Sequence, residues 1–99
     1  MVNGKKGVIL APIRKEAVQR SSRVEGQIKG IKKMVEEGRY CVDVLGQISA
    51  VQEALRGVGK LIMRNYLENC VTSSLRTGNK KKAKETYSEL MDVIHKFSK

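Results

Sequence analysis

Between Tyr40 and Thr77 the chain has no proline, and apolar residues recur every three or four positions through Val44, Leu45, Ile48, Val51, Leu55, Val58, Ile62, Tyr66, Leu67 and Cys70. That spacing predicts one long helix. Roughly thirty-seven residues at about 1.5 Å each span about 55 Å, whereas a compact domain of this size is about 33 Å across. The helix therefore overhangs any fold that one 99-residue chain builds around it.

Two further segments keep the same period. From Pro12 to Glu37 the stripe is Ile13, Ala17, Val24, Ile28, Ile31 and Val35. Pro12, the only proline, suits a first turn because its missing N–H costs nothing there, and Gly38 supplies the stop. Gly78-Asn79 ends the middle helix, and Lys81 to Phe97 carries Ala83, Tyr87, Leu90, Met91, Ile94 and Phe97. No stretch alternates with period two, so the fold class is all-α. The expectation is a three-helix protomer in one domain, 1–99, with residues 1–11 as a flexible basic arm.

Twenty Lys and Arg against ten Asp and Glu give a net charge of +10, which predicts a polyanionic partner. Nine of the basic residues, against four acids, fall in residues 1–38. Four aromatics and no Trp offer few platforms for stacking unpaired bases, which favours phosphate contacts on duplex DNA. The run Lys80-Lys81-Lys82 opens a helix against its dipole, and a solvated helix start is as good a reading of it as a phosphate contact. The apolar run near the start is too short for a signal-peptide core, and nothing approaches the roughly twenty apolar residues of a membrane span. The expected location is the cytoplasm, with no membrane partner and with thiols kept reduced.

The thiols are Cys41 and Cys70, twenty-nine residues apart. On a continuous helix they lie within roughly 20° of one face but about 43 Å apart along the axis. They cannot meet within one chain, since a disulfide needs Cα atoms closer than about 7 Å and a shared metal needs both sulfurs about 2.3 Å from one ion. An antiparallel two-fold dimer crossing near residues 55 and 56 brings Cys41 of one chain to Cys70 of the other. Gly57 and Gly59 beside that crossing, with Gly46 further out, suggest close backbone approach, because each helical glycine costs about 1 kcal/mol. The alternative is that both cysteines are small core residues of a helix stripe.

The run "RSSRVEGQIKGIKKMVEEGRYCVDVLGQISAVQEAL", residues 20–55, and "NYLENCV" beyond it resemble the CsoR/RcnR family of small helical bacterial repressors. The resemblance implies a dimer with a four-helix-bundle core, assembling as a dimer of dimers, that binds double-stranded operator DNA without a helix-turn-helix. Its effector site lies between protomers. The family's ligands are a cysteine at the head of the second helix, matching Cys41, and a His-x-x-x-Cys in the partner, whose cysteine matches Cys70. Tyr66 stands where that histidine belongs. A phenol with a pKa near 10 is a poor replacement for imidazole on soft Cu(I), and two cysteines without the histidine resemble the persulfide-sensing CstR branch. There a thiolate attacks sulfane sulfur and a second thiol resolves the product. The resemblance also implies that Tyr40 and Glu89 support the site from behind its ligands, with Glu85 a possible substitute for Glu89. It assigns DNA contacts to Arg20 and Lys60, with Arg14, Lys15 and Arg23 extending the surface, and it matches Gln27 to a polar family position.

The expected function is a DNA-binding transcriptional repressor controlled at a dithiol formed by Cys41 and the partner's Cys70. Reactive sulfur is the preferred effector, and no resident cofactor is required. The alternative is a Cu(I)-responsive repressor in which the same two cysteines are the metal ligands. Nickel or cobalt would call for more histidines than the single His95, which reads as a solvated side chain. A small sulfur-carrier enzyme lacks the CxxC pair or Cys-His arrangement that turnover would require, so the chain is not expected to be an enzyme. An architectural DNA-binding protein with inert cysteines is the remaining rival.

Overall fold

The computed structural model describes residues 8–98. The expected basic arm therefore lies, as far as residue 7, outside the described residues. Four α-helices follow: α1 (Ala11–Glu36), α2 (Cys41–Asn65), α3 (Thr72–Arg76) and α4 (Lys80–Phe97), with a π-helical segment, Tyr66–Val71, joining α2 to α3. No strand occurs among the described residues.

The helix ends are built as their residues dictate. Leu10 is extended, with φ −66° and ψ 149°, and Pro12 sits in the first turn of α1. At the other end Gly38 takes φ 66°, donating to Val35 O at 3.1 Å while Arg39 N–H donates to Met34 O at 3.0 Å. This is a Schellman stop, which needs a residue without a Cβ at that φ. Before α4, Gly78 takes φ 76° and Asn79 Oδ1 accepts the Lys82 N–H at 3.0 Å. That cap satisfies one of the helix's free donors and offsets a first turn of lysines that contains no acid.

Contacts divide the chain into two compact units, Leu10–Met63 and, within the described residues, 8–9 with 64–98. In the first, a short turn returns α2 against α1, and the buried residues are Ala17 and Val24 on α1 with Val51 and Val58 on α2. Each pair is seven residues apart, the repeat that keeps one seam of a helix against its neighbour. Leu45, Ile48, Leu55 and Ile62 stay exposed. The apolar run that reads as a single stripe in α2 is thus two: a seam that closes the hairpin, and a second apolar face left open by the single chain. Cys41, Ile48, Leu55 and Ile62 repeat every seven residues along that second face.

In the other unit the π segment, α3 and α4 pack on one another. The core holds Cys70 and Val71 together with the buried polar residues Asn65, Ser74 and Thr86. Ser74 Oγ and Thr86 Oγ1 share a hydrogen bond of 2.6 Å, which lets two hydroxyls be buried without an unpaired polar atom.

Candidate functional site

The second thiol lies in the one part of the long helix that departs from α geometry. From Tyr66 to Val71 the winding widens to i→i−5, and the Thr72 N–H accordingly donates to the Leu67 carbonyl. Side chains supply further donors: Thr72 Oγ1 donates to the same carbonyl at 2.8 Å, and Asn69 Nδ2 donates to Asn65 O at 3.2 Å. Segments of this kind need such donors because each buried carbonyl requires a partner, and they occur often at functional sites. The apolar period runs uninterrupted through this segment, and nothing in the spacing signals the extra residue. The helix nevertheless continues through Arg76, close to the expected end at Thr77.

Tyr66 opens this segment. Its hydroxyl donates to Glu89 Oε1 at 2.7 Å, so within the chain the Glu89 carboxylate is engaged by Tyr66. Burial first, then the hydrogen bond and charge of Glu89, then the nearby Cys70 thiol, push the Tyr66 phenol up to about 12. The group is therefore protonated at neutral pH and acts as a donor committed to a carboxylate, a hard and occupied oxygen beside a soft thiol. Tyr40 is 69% exposed, and its backbone carbonyl receives the Asp43 and Val44 N–H groups as α2 begins. Glu85 and His95 are exposed on α4.

The two cysteines are free and differ in access: Cys41 is exposed and Cys70 buried. They belong to different compact units of the chain. Among the described residues no cluster of three or more His, Cys, Asp and Glu side chains is arranged to hold a metal.

Asn65 is a residue that apolar spacing does not single out. It is 2% exposed and its Nδ2 donates to the Val8 carbonyl at 3.3 Å, fixing the chain just before α1 to the head of the π segment. The available signal is an amide at residue 65, seven positions beyond Val58 in the buried seam.

The basic positions fall on the hairpin unit. Arg14, Lys15, Arg20, Arg23 and Gln27 lie on α1 and Lys60 on α2. Lys15, Arg20, Arg23 and Gln27 line one groove between the helices, of about 670 Å³, floored by Ala54 and Gly57. A Cβ placed on Gly57 would lie 3.6 Å from Arg20 Nη1, and one on Gly46 would meet nothing within 4 Å. Within the chain, then, the space at Gly57 admits an arginine side chain and not a second backbone, and Gly46 faces open space.

The chain is thus an all-α protein made of a helical hairpin with a basic groove and a short helical unit that carries a buried thiol, and its class is that of a transcriptional regulator. The family described as "Metal-sensitive transcriptional repressor" matches residues 13–96. The chain belongs to that family, whose members are repressors and not enzymes. It is 42% identical to the copper-sensing transcriptional repressor CsoR of Bacillus subtilis, over 85% of this chain and 80% of that one. It is 50% identical to the copper-sensing repressor RicR of Mycobacterium tuberculosis over a shorter span, 61% of this chain and 62% of that protein. Among solved structures, the Cu(I)-bound CsoR of Geobacillus thermodenitrificans superposes with a TM-score of 0.78 at 44% identity, covering 86% and 85% of the two chains. The nickel-responsive regulator InrS gives 0.72 at 37% identity over 84% and 90%. No helix among the described residues is long and apolar enough to cross a membrane.

Proposed function

We propose that this repressor binds duplex operator DNA in the cytoplasm as a dimer of dimers, and that soft, thiophilic effectors release it by engaging Cys41 together with the partner's Cys70. The observation that carries the pairing is the open apolar face of α2, where Cys41, Ile48, Leu55 and Ile62 repeat every seven residues, with Leu55 55% exposed at its middle. Such a face is covered by a second helix with the same repeat. An antiparallel copy crossing near Leu55 sets the start of one α2 against the π segment of the other, which gives the exposed thiol the second sulfur that its own chain does not bring to it.

For the effector, the copper-sensing relatives favour Cu(I). The donor set that this chain supplies fits it in a reduced form: two thiolates are sufficient for a two-coordinate soft ion, and Tyr66 contributes no third ligand while it donates to Glu89. That same hydrogen bond supports a second reading, in which reactive sulfur is the signal and the protein belongs with the CstR-like branch. One thiolate attacks a hydropolysulfide, forming a Cys–S–SH persulfide and releasing a hydrosulfide. The second thiolate then attacks the cysteine sulfur of that persulfide, forming an inter-chain disulfide and expelling another hydrosulfide. Tyr40, next to Cys41, supports the site from behind its ligands, and the basic positions Arg14, Lys15, Arg20, Arg23 and Lys60, with Gln27, take the DNA.

The test is an operator titration of the reduced protein, repeated after one equivalent of Cu(I) per chain and, separately, after polysulfide, with intact masses recorded alongside. Tight operator binding lost with Cu(I) and no covalent change supports copper. Loss only on formation of a covalent dimer supports sulfur. Operator affinity unaffected by either treatment would overturn thiol control.

A further inference from the structure

Arg20 occupies an unusual place for a residue assigned to DNA. It stands three positions after Ala17 and four before Val24, inside the repeat whose other members close the hairpin, and it is only partly exposed. Its guanidinium lies across α2 in the room left by Gly57, and Glu16, one turn earlier on α1, forms an ion pair with it. The groove's other acid, Glu53, is paired with Arg56 at 3.3 Å. The remaining groove cations, Lys15 and Arg23, have no carboxylate within ion-pair distance among the described residues. The groove thus offers two cations to a phosphate directly and a third that already has an anion of its own.

We infer that Glu16 is an internal competitor for the DNA phosphate: it holds Arg20 against Gly57 in the free protein and weakens the contact of the guanidinium with the operator. A carboxylate and a phosphate draw on the same charge and the same N–H donors, so what Arg20 gives to Glu16 through Nη2 is withheld from the phosphate. Glu16 lowers operator affinity, and it cancels one positive charge that would otherwise displace a counterion from the DNA. The inference rests on the operator-binding reading of Arg20.

The experiment is a double-mutant cycle of E16Q, R20Q and E16Q/R20Q in the full-length protein, read as operator affinity over a series of salt concentrations. Gln keeps the shape of Glu and removes its charge. E16Q is expected to tighten operator binding by up to about fivefold, the range of an exposed ion pair, and to steepen the dependence of log affinity on log salt by up to about one. In the R20Q background both effects should vanish. An equal gain from E16Q with or without Arg20 would mean a general charge effect, and no gain in either background would mean no competition; each overturns the inference while leaving the DNA role of Arg20 intact. If R20Q itself leaves operator affinity unchanged, the reading of Arg20 falls and the inference with it.

Discussion

The hairpin and the C-terminal unit solve the same problem, burying helices in a short chain, with different materials. In the hairpin, Ala17, Val24, Val51 and Val58 bury apolar surface at seven-residue intervals, and polar side chains enter only around the groove. In the C-terminal unit, Asn65, Ser74 and Thr86 are as buried as Cys70 and Val71, and hydroxyls and amides satisfy the carbonyls of a widened helical turn. Apolar packing is tolerant of the sequence around it, whereas hydrogen-bonded geometry fixes where a particular side chain sits. The basic groove lies on the first unit, and the buried thiol, set among hydrogen-bonded polar groups, lies on the second.

The largest effect expected from breaking this division is on signalling. Cys41→Ser and Cys70→Ser should each abolish the effector response, leaving operator affinity of the reduced protein within about twofold, because isosteric substitution away from strained or unpaired groups changes little. A gel-shift or anisotropy titration with and without effector checks it; a response that survives either substitution would separate the thiols from the signal. Next in size is the hairpin seam. Val58→Ala should cost about 2 kcal/mol in urea unfolding, from lost burial and the cavity left behind, whereas Leu55→Ala on the open face should weaken dimerisation more than it weakens the fold of the protomer.

A smaller effect, about 1 kcal/mol, is expected from Tyr66→Phe, which removes the hydrogen bond to Glu89 and leaves the ring. Its clearer signature is in pH. The folded phenol is raised from 10.0 to about 12, so folding favours the protonated form. The corresponding stability is fully present below pH 10 and is lost as pH rises through about 12. The wild type should lose stability across that window with one phenol titrating late by near-UV absorbance, and Tyr66→Phe should remove both features. The smallest change is Ser74→Ala, about 1 kcal/mol or less, since it leaves the Thr86 hydroxyl short of its buried partner.

Much of this division is legible in the residues. The three helical runs, the stops at Gly38 and Gly78-Asn79, and the all-α class follow from spacing and turn chemistry; the middle run ends within a residue or so of the expected place but is divided into α2, the π segment and α3. The family and its repressor function follow from residues 20–55 and the second cysteine. What spacing does not carry is which apolar positions pair within one chain: Val51 and Leu55 look alike in a helical stripe, and only the placement of α1 decides that the first is buried and the second open. The π segment escapes for a related reason, since it depends on side-chain donors at Asn69 and Thr72 and not on periodicity. The ion pair of Arg20 with Glu16 is a four-residue spacing that is visible in the sequence, yet its importance comes from Gly57 opposite. The expectation of sulfur over copper rests on Tyr66 in place of a histidine beside two retained cysteines; the relatives weigh toward copper, and the Tyr66–Glu89 hydrogen bond leaves both chemistries to the same pair of thiols.

The account turns on a site shared between two chains, and mixing Cys41→Ser protein with Cys70→Ser protein tests it directly. Neither homodimer retains a complete pair of thiols, whereas the mixed dimer has one intact pair and one empty one. After subunit exchange, the mixture should recover effector binding at one site per mixed dimer, read as Cu(I) stoichiometry or as a polysulfide-dependent covalent dimer by intact mass, while each variant alone stays silent. A mixture as silent as its components would contradict the shared site.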